Sequence, residues 1–166
     1  MLVALEVPAA LAGVDDVIVR RAAPDDVPRI VELLASDAIA AGRGDVDDGL
    51  ADYRDAFDAI AADDGNEVIV ADSRGTIVAT LQLTRIPGMS RRGTTRLLIE
   101  SVRVANDARG AGVGGALLRW VCDVAAPAVD ATLVQLTSDA RRGDAIRFYE
   151  RAGFVASHVG LKRDVG

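Results

Sequence analysis

A glycine-rich turn in the second half of the chain has the composition of an anion-binding site. The segment Arg109-Gly-Ala-Gly-Val-Gly-Gly115 follows a β-branched run and opens an apolar helical run. Glycines leave several backbone N–H groups uncovered at the helix N-terminus, where the helix dipole also favours negative charge. Arg109 adds a formal positive charge. The turn predicts a phosphate or pyrophosphate site, with a glycine-rich packing turn as the alternative.

The turn fits neither the dinucleotide-binding pattern nor the Walker pattern completely. Gly110, Gly112 and Gly115 satisfy the dinucleotide pattern G-x-G-x-x-G, and Asp139 stands where an acidic residue would contact a ribose. However, Ala105–Arg109 separate the first glycine from its strand, and only 27 residues follow Asp139, too few for a doubly wound domain. A Walker-type loop is excluded because no G-K-[ST] follows the glycines.

The cysteine and histidine content limits the possible chemistry. With one cysteine and one histidine, the chain cannot form an internal disulfide or a clustered zinc site, so we expect no metal.

No apolar run approaches the roughly 18 residues that span a bilayer. Residues 1–13 also lack the basic region of a secretory signal. These features predict a soluble cytoplasmic protein with no membrane association.

The formal net charge of −6 is concentrated in one segment. Nine aspartates and two arginines lie between Asp37 and Asp64. An acidic surface of this kind attracts cations, although a solvated acidic helix face is the simpler interpretation. No basic run with interleaved aromatic residues occurs, so nucleic acid is not expected as a partner.

Hydrophobic periodicity divides the chain into strands and helices. The predicted strands are 17–21, 67–71, 76–84, 96–104, 132–137 and 154–161, and the predicted helices are 24–36, 50–61, about 112–125 and about 143–152. Short connections favour an antiparallel meander, and the later crossover favours a parallel pair. We therefore predict an α/β (α+β) fold with a mixed, mostly antiparallel central sheet flanked by helices. Residues 1–16 are treated as an N-terminal extension and residues 17–166 as one domain.

Two motifs in correct order resemble a known enzyme family. Arg109-Gly-Ala-Gly-Val-Gly114 resembles the acetyl-CoA pyrophosphate loop of the GCN5-related N-acetyltransferase (GNAT) superfamily. Ala145-Ile-Arg-Phe-Tyr-Glu-Arg-Ala-Gly-Phe154 is similar to its A-x-x-F-Y-x-x-x-G-F signature, and Ile99–Val104 resembles its fourth strand. The order β-α-α-β-β-β-α-β-α-β is also that of the family. The resemblance covers roughly residues 17–161 and implies that residues 17–166 form an acetyltransferase domain.

The resemblance implies acetyl-CoA as co-substrate. The main chain of the glycine turn would hold the pyrophosphate, and main-chain N–H groups at a bulge in the fourth strand would hold the pantetheine arm and the thioester carbonyl. Asp139 departs from the family pattern, since relatives often carry an asparagine there and an ionised aspartate only accepts hydrogen bonds. The cofactor-binding residues assigned in this way are Val102, Arg103, Val104, Arg109, Gly110, Ala111, Gly112, Val113, Gly114, Gly115, Ser138 and Asp139.

Tyr149 is the candidate general acid. It occupies the second aromatic position of the motif, where the family commonly places a tyrosine near the CoA sulfur. A phenol can protonate a departing thiolate. A purely structural core aromatic is the alternative.

Glu100 is the candidate general base. Strict strand alternation places it on the same face as Val102 and Val104, towards the cofactor. A carboxylate on an apolar face is suited to proton abstraction near neutrality. An ion pair with Arg85 or Arg96 is the alternative.

The resemblance implies acetyl transfer to a primary amine by direct attack within a ternary complex. The family's first two helices help to wall the acceptor site, so the acidic segment favours a small cationic amine. A lysine side chain or a protein N-terminus is the alternative acceptor, and a non-catalytic acyl-CoA sensor is the alternative function. Exposed strand edges also make a homodimer plausible.

Overall fold

The computed structural model describes residues 1–36 and 49–165. The strands are β1 (Ala9–Ala10), β2 (Val17–Arg21), β3 (Asn66–Ser73), β4 (Thr76–Ile86), β5 (Thr95–Val104) and β6 (Ala131–Leu136). The helices are α1 (Val27–Ala35), α2 (Leu50–Ala61), α3 (Val113–Trp120) and α4 (Gly143–Arg151). Shorter helical turns lie at Leu2–Ala4, Pro24–Asp26, Ser90–Gly93, Asn106–Ala108, Val121–Ala125 and Ala126–Ala128.

In the described part of the chain, six strands form one sheet whose order in space follows their order in sequence. Neighbours from β1 to β5 are antiparallel, because short connections reverse the chain direction at each step. The pair β5–β6 is parallel, since the chain crosses over through α3 before β6. The predicted fold class, the antiparallel meander and the parallel crossover are confirmed.

The two faces of the sheet carry separate apolar layers. On one face, Leu81, Leu97 and Ile99 pack with Leu117 of α3 in the main core. On the other, Leu33 of α1 joins a smaller cluster with Val70, Ile77 and Ala105. The alternation of side chains along each strand assigns successive residues to these two layers.

Helix α1 begins beside a charged cluster centred on Arg20. Asp26 accepts a 2.6 Å hydrogen bond from Arg20 Nη1, and its carboxylate also accepts one from the Ala23 N–H at 2.7 Å. Arg20 Nε donates to Asp72 Oδ2 at 3.0 Å, which joins β2 to β3. The hydrogen bond from Arg20 holds the pKa of Asp26 below its usual value, against the opposing effect of burial.

The N-terminal segment, for which the sequence predicted no element, packs into the main core. Leu2, Leu5 and Leu11 are almost completely buried there. Arg21 Nη2 donates to the carbonyl oxygens of Leu2 and Leu5 at 2.9 and 3.2 Å, and β1 pairs with β2. Residues 1–16 therefore have a structural role in this fold.

The predicted strand at 154–161 is wrong. Phe154 is half-buried, but residues 155–165 belong to no strand and are exposed. Their β-branched composition satisfies strand propensity, whereas a strand also needs a neighbouring edge with which to pair. The other predicted strands and helices are present with small shifts at their ends, and the helix at about 112–125 continues beyond Trp120 as a π-helical turn.

Candidate active site

The glycine turn connects the end of β5 to α3 as the sequence predicted. Gly110 and Gly112 have φ angles of 82° and 84°, in the left-handed region that favours glycine, and Gly112 caps α3. The N–H groups in the first turn of a helix have no intrahelical partners. Residues 109–112 are exposed. The turn therefore presents backbone donors at an accessible helix N-terminus that suits a pyrophosphate.

Gly114 lies where the two sequence motifs meet. A Cβ added at Gly114 would approach both Phe148 Cζ and Val104 Cγ2 to 3.3 Å. The absent side chain lets α3 pack against β5 and α4. The glycine turn is thereby held against the helix that carries Tyr149.

The ladder between β5 and β6 stops before the end of β5 at which this turn lies. Their ladder runs from Thr95 opposite Ala131 to Ile99 opposite Leu136, where β6 ends. Strand β5 continues to Val104. Beyond Ile99, β5 has no β6 residue beside it, and we call the space between this stretch of β5 and the start of α4 the cleft. The strand backbone along it is able to bond an extended amide-bearing chain.

A bulge interrupts β5 within this cleft. Gln82 pairs with Glu100 and Thr80 pairs with Arg103, so Ser101 and Val102 together oppose the single residue Leu81. Ser101 has a φ of 53°, an uncommon conformation for a residue with a side chain. The bulge occurs in the strand segment where the resemblance implied one.

The bulge reverses the alternation on which the Glu100 prediction depended. Val102 and Val104 pack against the main core, together with α3. Glu100 lies one position before the bulge and pairs with Gln82, which faces α1 and α2. The prediction that Glu100 shares a face with Val102 and Val104 is therefore wrong, because a period-two pattern does not continue through a bulge.

Tyr149 is half-buried on α4 and packs against the main core that Val102 and Val104 also contact. Its ring centroid lies 5.3 Å from that of Phe148 and 6.1 Å from that of Phe154. Burial raises the pKa of Tyr149, while the positive charges of Arg103 and Arg142 oppose this rise. Tyr149 therefore holds its proton at neutral pH, as a general acid must.

Asp139 forms a bidentate ion pair near the start of α4. Its carboxylate accepts hydrogen bonds from Arg141 Nε at 3.0 Å and Arg141 Nη2 at 2.7 Å. The Arg141 N–H donates to the same carboxylate, and the Arg142 N–H donates to the Asp139 carbonyl. Asp139 thus organises the loop between β6 and α4, beside the half-buried Ser138.

An apolar pocket of about 180 Å³ lies on the opposite side of the bulge. Its polar lining comes from Thr80, Gln82 and the bulge residue Ser101. Its walls come from β3, β4 and the facing sides of α1 and α2: Val27, Ile30, Val31, Leu34, Tyr53, Ala56, Phe57, Ile60, Val68 and Leu81.

Sequence reasoning missed this pocket. The spacing of Tyr53, Phe57 and Ile60 indicates one apolar face of the predicted helix 50–61 and gives no sign of a pocket, yet all three are half-buried. The acids Asp52, Asp55 and Asp58 lie on the exposed side of α2. Four acids of the predicted acidic segment, Asp37, Asp45, Asp47 and Asp48, lie outside the described residues.

The described residues contain no group of three or more histidine, cysteine, aspartate or glutamate side chains able to hold a metal ion. None of their helices is both long enough and apolar enough to cross a membrane.

The family model described as "Acetyltransferase (GNAT) family" matches residues 28–154, which include the bulge, the glycine turn, Tyr149 and every pocket-lining residue except Val27. This chain belongs to the GNAT acetyltransferase family. The match supports an acyltransferase activity for this GNAT domain.

Solved structures share the GNAT fold of this chain. A protein from Bacillus halodurans C-125, named as a transcriptional regulator, is 40% identical with a TM-score of 0.84, over 90% of this chain and 99% of the other. An acetyltransferase from Trypanosoma brucei is 26% identical with a TM-score of 0.68, over 90% of this chain and all of the other. Glucosamine-6-phosphate N-acetyltransferase from Arabidopsis thaliana, 19% identical with a TM-score of 0.69 over 90% and 99% of the two chains, shows similarity of fold alone. No curated protein sequence matches the chain.

Proposed function

We propose that this protein transfers an acetyl group from acetyl-CoA to a primary amine by direct attack in a ternary complex. The observation that carries the proposal is that β5 extends beyond its ladder with β6 towards the glycine turn, while Tyr149 packs against the same core as Val102 and Val104 of this stretch. The exposed first turn of α3 suits the CoA pyrophosphate. The edge of β5 from Glu100 to Val104 suits the amides of pantetheine.

The chemistry requires one proton acceptor and one proton donor. The amine nitrogen attacks the thioester carbonyl carbon, a C–N bond forms, and the C–S bond breaks. Because the acceptor arrives as an ammonium, the base first removes one proton to free the nitrogen lone pair. As the C–N bond forms, the nitrogen loses a second proton, which passes through the base to solvent, and the sulfur gains one from the acid. In this proposal, backbone N–H groups at the Ser101 bulge stabilise the charge that develops on the carbonyl oxygen.

Tyr149 and Glu100 fit these roles from opposite sides of the bulge. Tyr149 lies on the α3 side and keeps its proton at neutral pH. Glu100 lies beside Gln82, which lines the apolar pocket on the α1 and α2 side. The face reversal at Ser101 therefore supports Glu100 as the base, because it places the carboxylate on the side from which the amine would approach.

The apolar pocket also limits the chemical structure of the acceptor. Its walls are apolar, and burying a second ammonium or several hydroxyls there without partners would be unfavourable. The exposed acids Asp52, Asp55 and Asp58 can attract one ammonium from solution. The proposed acceptor is therefore a small cationic amine whose single ammonium is attached to an aliphatic or aromatic body. A lysine side chain, with its four methylenes, is the alternative.

Ligand-dependent thermal unfolding tests the cofactor. A ligand at about 100 times its Kd stabilises the folded state by roughly 2.7 kcal/mol, which corresponds to several degrees in Tm. We expect acetyl-CoA and CoA to raise Tm and NAD to leave it unchanged. A shift with NAD alone would contradict the proposal. A shift with acetyl-CoA but no CoA release with any amine would identify a sensor.

An acceptor panel tests the amine. The panel compares hexylamine and phenethylamine with spermidine and glucosamine, and includes a peptide with one lysine. We expect the first two to give the highest kcat/KM. Phe57→Ala should raise the amine KM about tenfold or more, since tenfold corresponds to about 1.4 kcal/mol of lost contact, without changing the KM for acetyl-CoA. Asp55→Asn is the matched change on the exposed side of α2, and it should weaken only the salt dependence of kcat/KM for the amine.

A further inference from the structure

Of the polar residues that line the apolar pocket, Gln82 has the longest side chain. It lies in the middle of a row across three strands, in which Val68 of β3 pairs with Gln82 and Gln82 pairs with Glu100 of β5. Directly paired residues project from the same face of a sheet, with their Cβ atoms about 4.5–5.5 Å apart. The Gln82 amide and the Glu100 carboxylate are therefore neighbours on the face that carries the pocket.

A chain of hydrogen bonds fixes the direction of the Gln82 amide. Asn66 Nδ2 donates to Asp63 Oδ2 at 2.8 Å, and an ionised carboxylate only accepts hydrogen bonds. The other end of this amide, Asn66 Oδ1, is therefore the acceptor, and Thr84 Oγ1 donates to it at 2.6 Å. Gln82 Nε2 makes a longer contact of 3.5 Å with the same oxygen. Because Asn66 Oδ1 accepts, the NH2 end of Gln82 is the end that faces it.

The carbonyl oxygen of Gln82 is left for a ligand. Oε1 lies at the opposite end of the amide from the contact with Asn66, and within the described residues no donor bonds it. The neighbouring Thr80 hydroxyl is already engaged, since Thr80 Oγ1 donates to the Ile69 carbonyl at 3.0 Å. A molecule that fills the pocket displaces water from the half-buried Gln82. It must then offer a donor to Oε1, because a covered polar group without a partner is unfavourable.

We propose that Gln82 Oε1 accepts a hydrogen bond from the acceptor amine and makes this protein select primary over secondary amines. This inference rests on the acetyl transfer proposed above. Once the base has freed the lone pair, a primary amine carries two N–H groups. One donates to Gln82 Oε1, and the other faces Glu100, which receives the second proton. A secondary amine has one N–H at this stage, so Gln82 Oε1 faces a carbon substituent and stays unpaired.

Size is the competing explanation, because the second substituent of a secondary amine also needs space. Gln82→Met separates the two explanations. Methionine has a similar length, but its thioether is only a weak hydrogen-bond acceptor. The variant therefore keeps the space filled while it removes the carbonyl oxygen. A barrier due to size would remain in this variant, whereas one due to hydrogen bonding would disappear.

The kinetic test compares hexylamine with N-methylhexylamine. The wild-type protein should have the higher kcat/KM for hexylamine, and Gln82→Met should lower the ratio of the two values about tenfold, with the KM for acetyl-CoA unchanged. Thr84→Val is the matched control, since it removes a hydrogen bond to Asn66 Oδ1 at a residue that does not line the pocket. It should lower Tm and leave the ratio unchanged. An unchanged ratio in Gln82→Met, or an equal fall in both variants, would overturn the proposal.

Binding without turnover separates this inference from the proposed function. With CoA present, Gln82→Met should raise the Kd for hexylamine about tenfold in calorimetric titration, and Thr84→Val should not. Circular dichroism and Tm establish folding, and Gln82→Leu repeats the test with a second apolar side chain. An unchanged Kd, or no binding of hexylamine to the wild-type protein, would overturn the role of Gln82. The expected change in Kd without acetyl transfer to any amine would refute the proposed function and retain Gln82 as the amine-binding group.

Discussion

Gly114 lies directly against the ring of Phe148, where a side chain would be tightly packed. An added Cβ would be 3.3 Å from Phe148 Cζ and 3.3 Å from Val104 Cγ2, so Gly114 joins β5, α3 and α4 at one point. The glycine turn and the aromatic motif are far apart in sequence. Their contact explains why the two belong to one site.

Gly114→Ala should therefore weaken both folding and acetyl-CoA binding. Overpacking costs typically 1–3 kcal/mol, and the gain in helix propensity offsets at most about 1 kcal/mol of it. We expect a lower Tm and a higher Kd for acetyl-CoA. Gly115→Ala is the control for Tm, since its Cβ would lie 3.5 Å from the flexible end of Arg119 and should leave Tm equal or slightly higher. Equal Tm changes in both variants would contradict the packing argument.

Tyr149→Phe should separate catalysis from binding. The ring contacts with Phe148 and Phe154 survive this change, but the proton donor is lost. We expect kcat to fall by a factor on the order of 10² to 10⁴, as for other general acids, with the Kd for acetyl-CoA nearly unchanged. Stopped-flow kinetics and equilibrium binding measure the two quantities. A variant with unaltered kcat would assign Tyr149 to packing alone.

The pair Arg20–Asp26 should make folding sensitive to acid. The pKa of Asp26 is lower in the folded state than its usual value near 3.8, so its stabilising effect is complete above that value. The effect is lost as the pH falls through the lower folded-state pKa. Asp26→Asn should flatten the acid limb of the free energy of unfolding, measured in urea between about pH 5 and pH 2. Asp25→Asn, at the exposed neighbouring position, should retain the wild-type slope.

The N-terminal segment should contribute strongly to stability. Leu11 is 1% exposed, and removal of a buried leucine side chain costs about 2–5 kcal/mol. Leu11→Ala should lower the free energy of unfolding by this amount. Val3→Ala, at a position that is 64% exposed, should change it by less than about 0.5 kcal/mol. A small effect at Leu11 would show that the segment is only loosely attached.

Local sequence patterns predicted those parts of the site that depend on local conformation. The left-handed φ angles of Gly110 and Gly112 match the glycine-rich turn, and the aromatic motif correctly placed Tyr149 on a helix. Local patterns could not predict the register shift at the Ser101 bulge, because the pairing of Gln82 with Glu100 depends on two strands together. The same limit explains the wrong prediction at 154–161. These residues have strand propensity, but within the described residues they pair with no strand of the sheet.

The bulge at Ser101 also divides β5 into two stretches whose side chains can be varied separately. Residues before it, such as Leu98 and Glu100, belong to one register, whereas Val102 and Val104 after it pack with the main core. Under the proposed function, substitutions before the bulge would change acceptor selectivity more than acetyl-CoA binding. Deletion of a single residue at the bulge would exchange the two faces and impair both. The residue count at the bulge therefore matters to both faces of the strand, whichever side chains they carry.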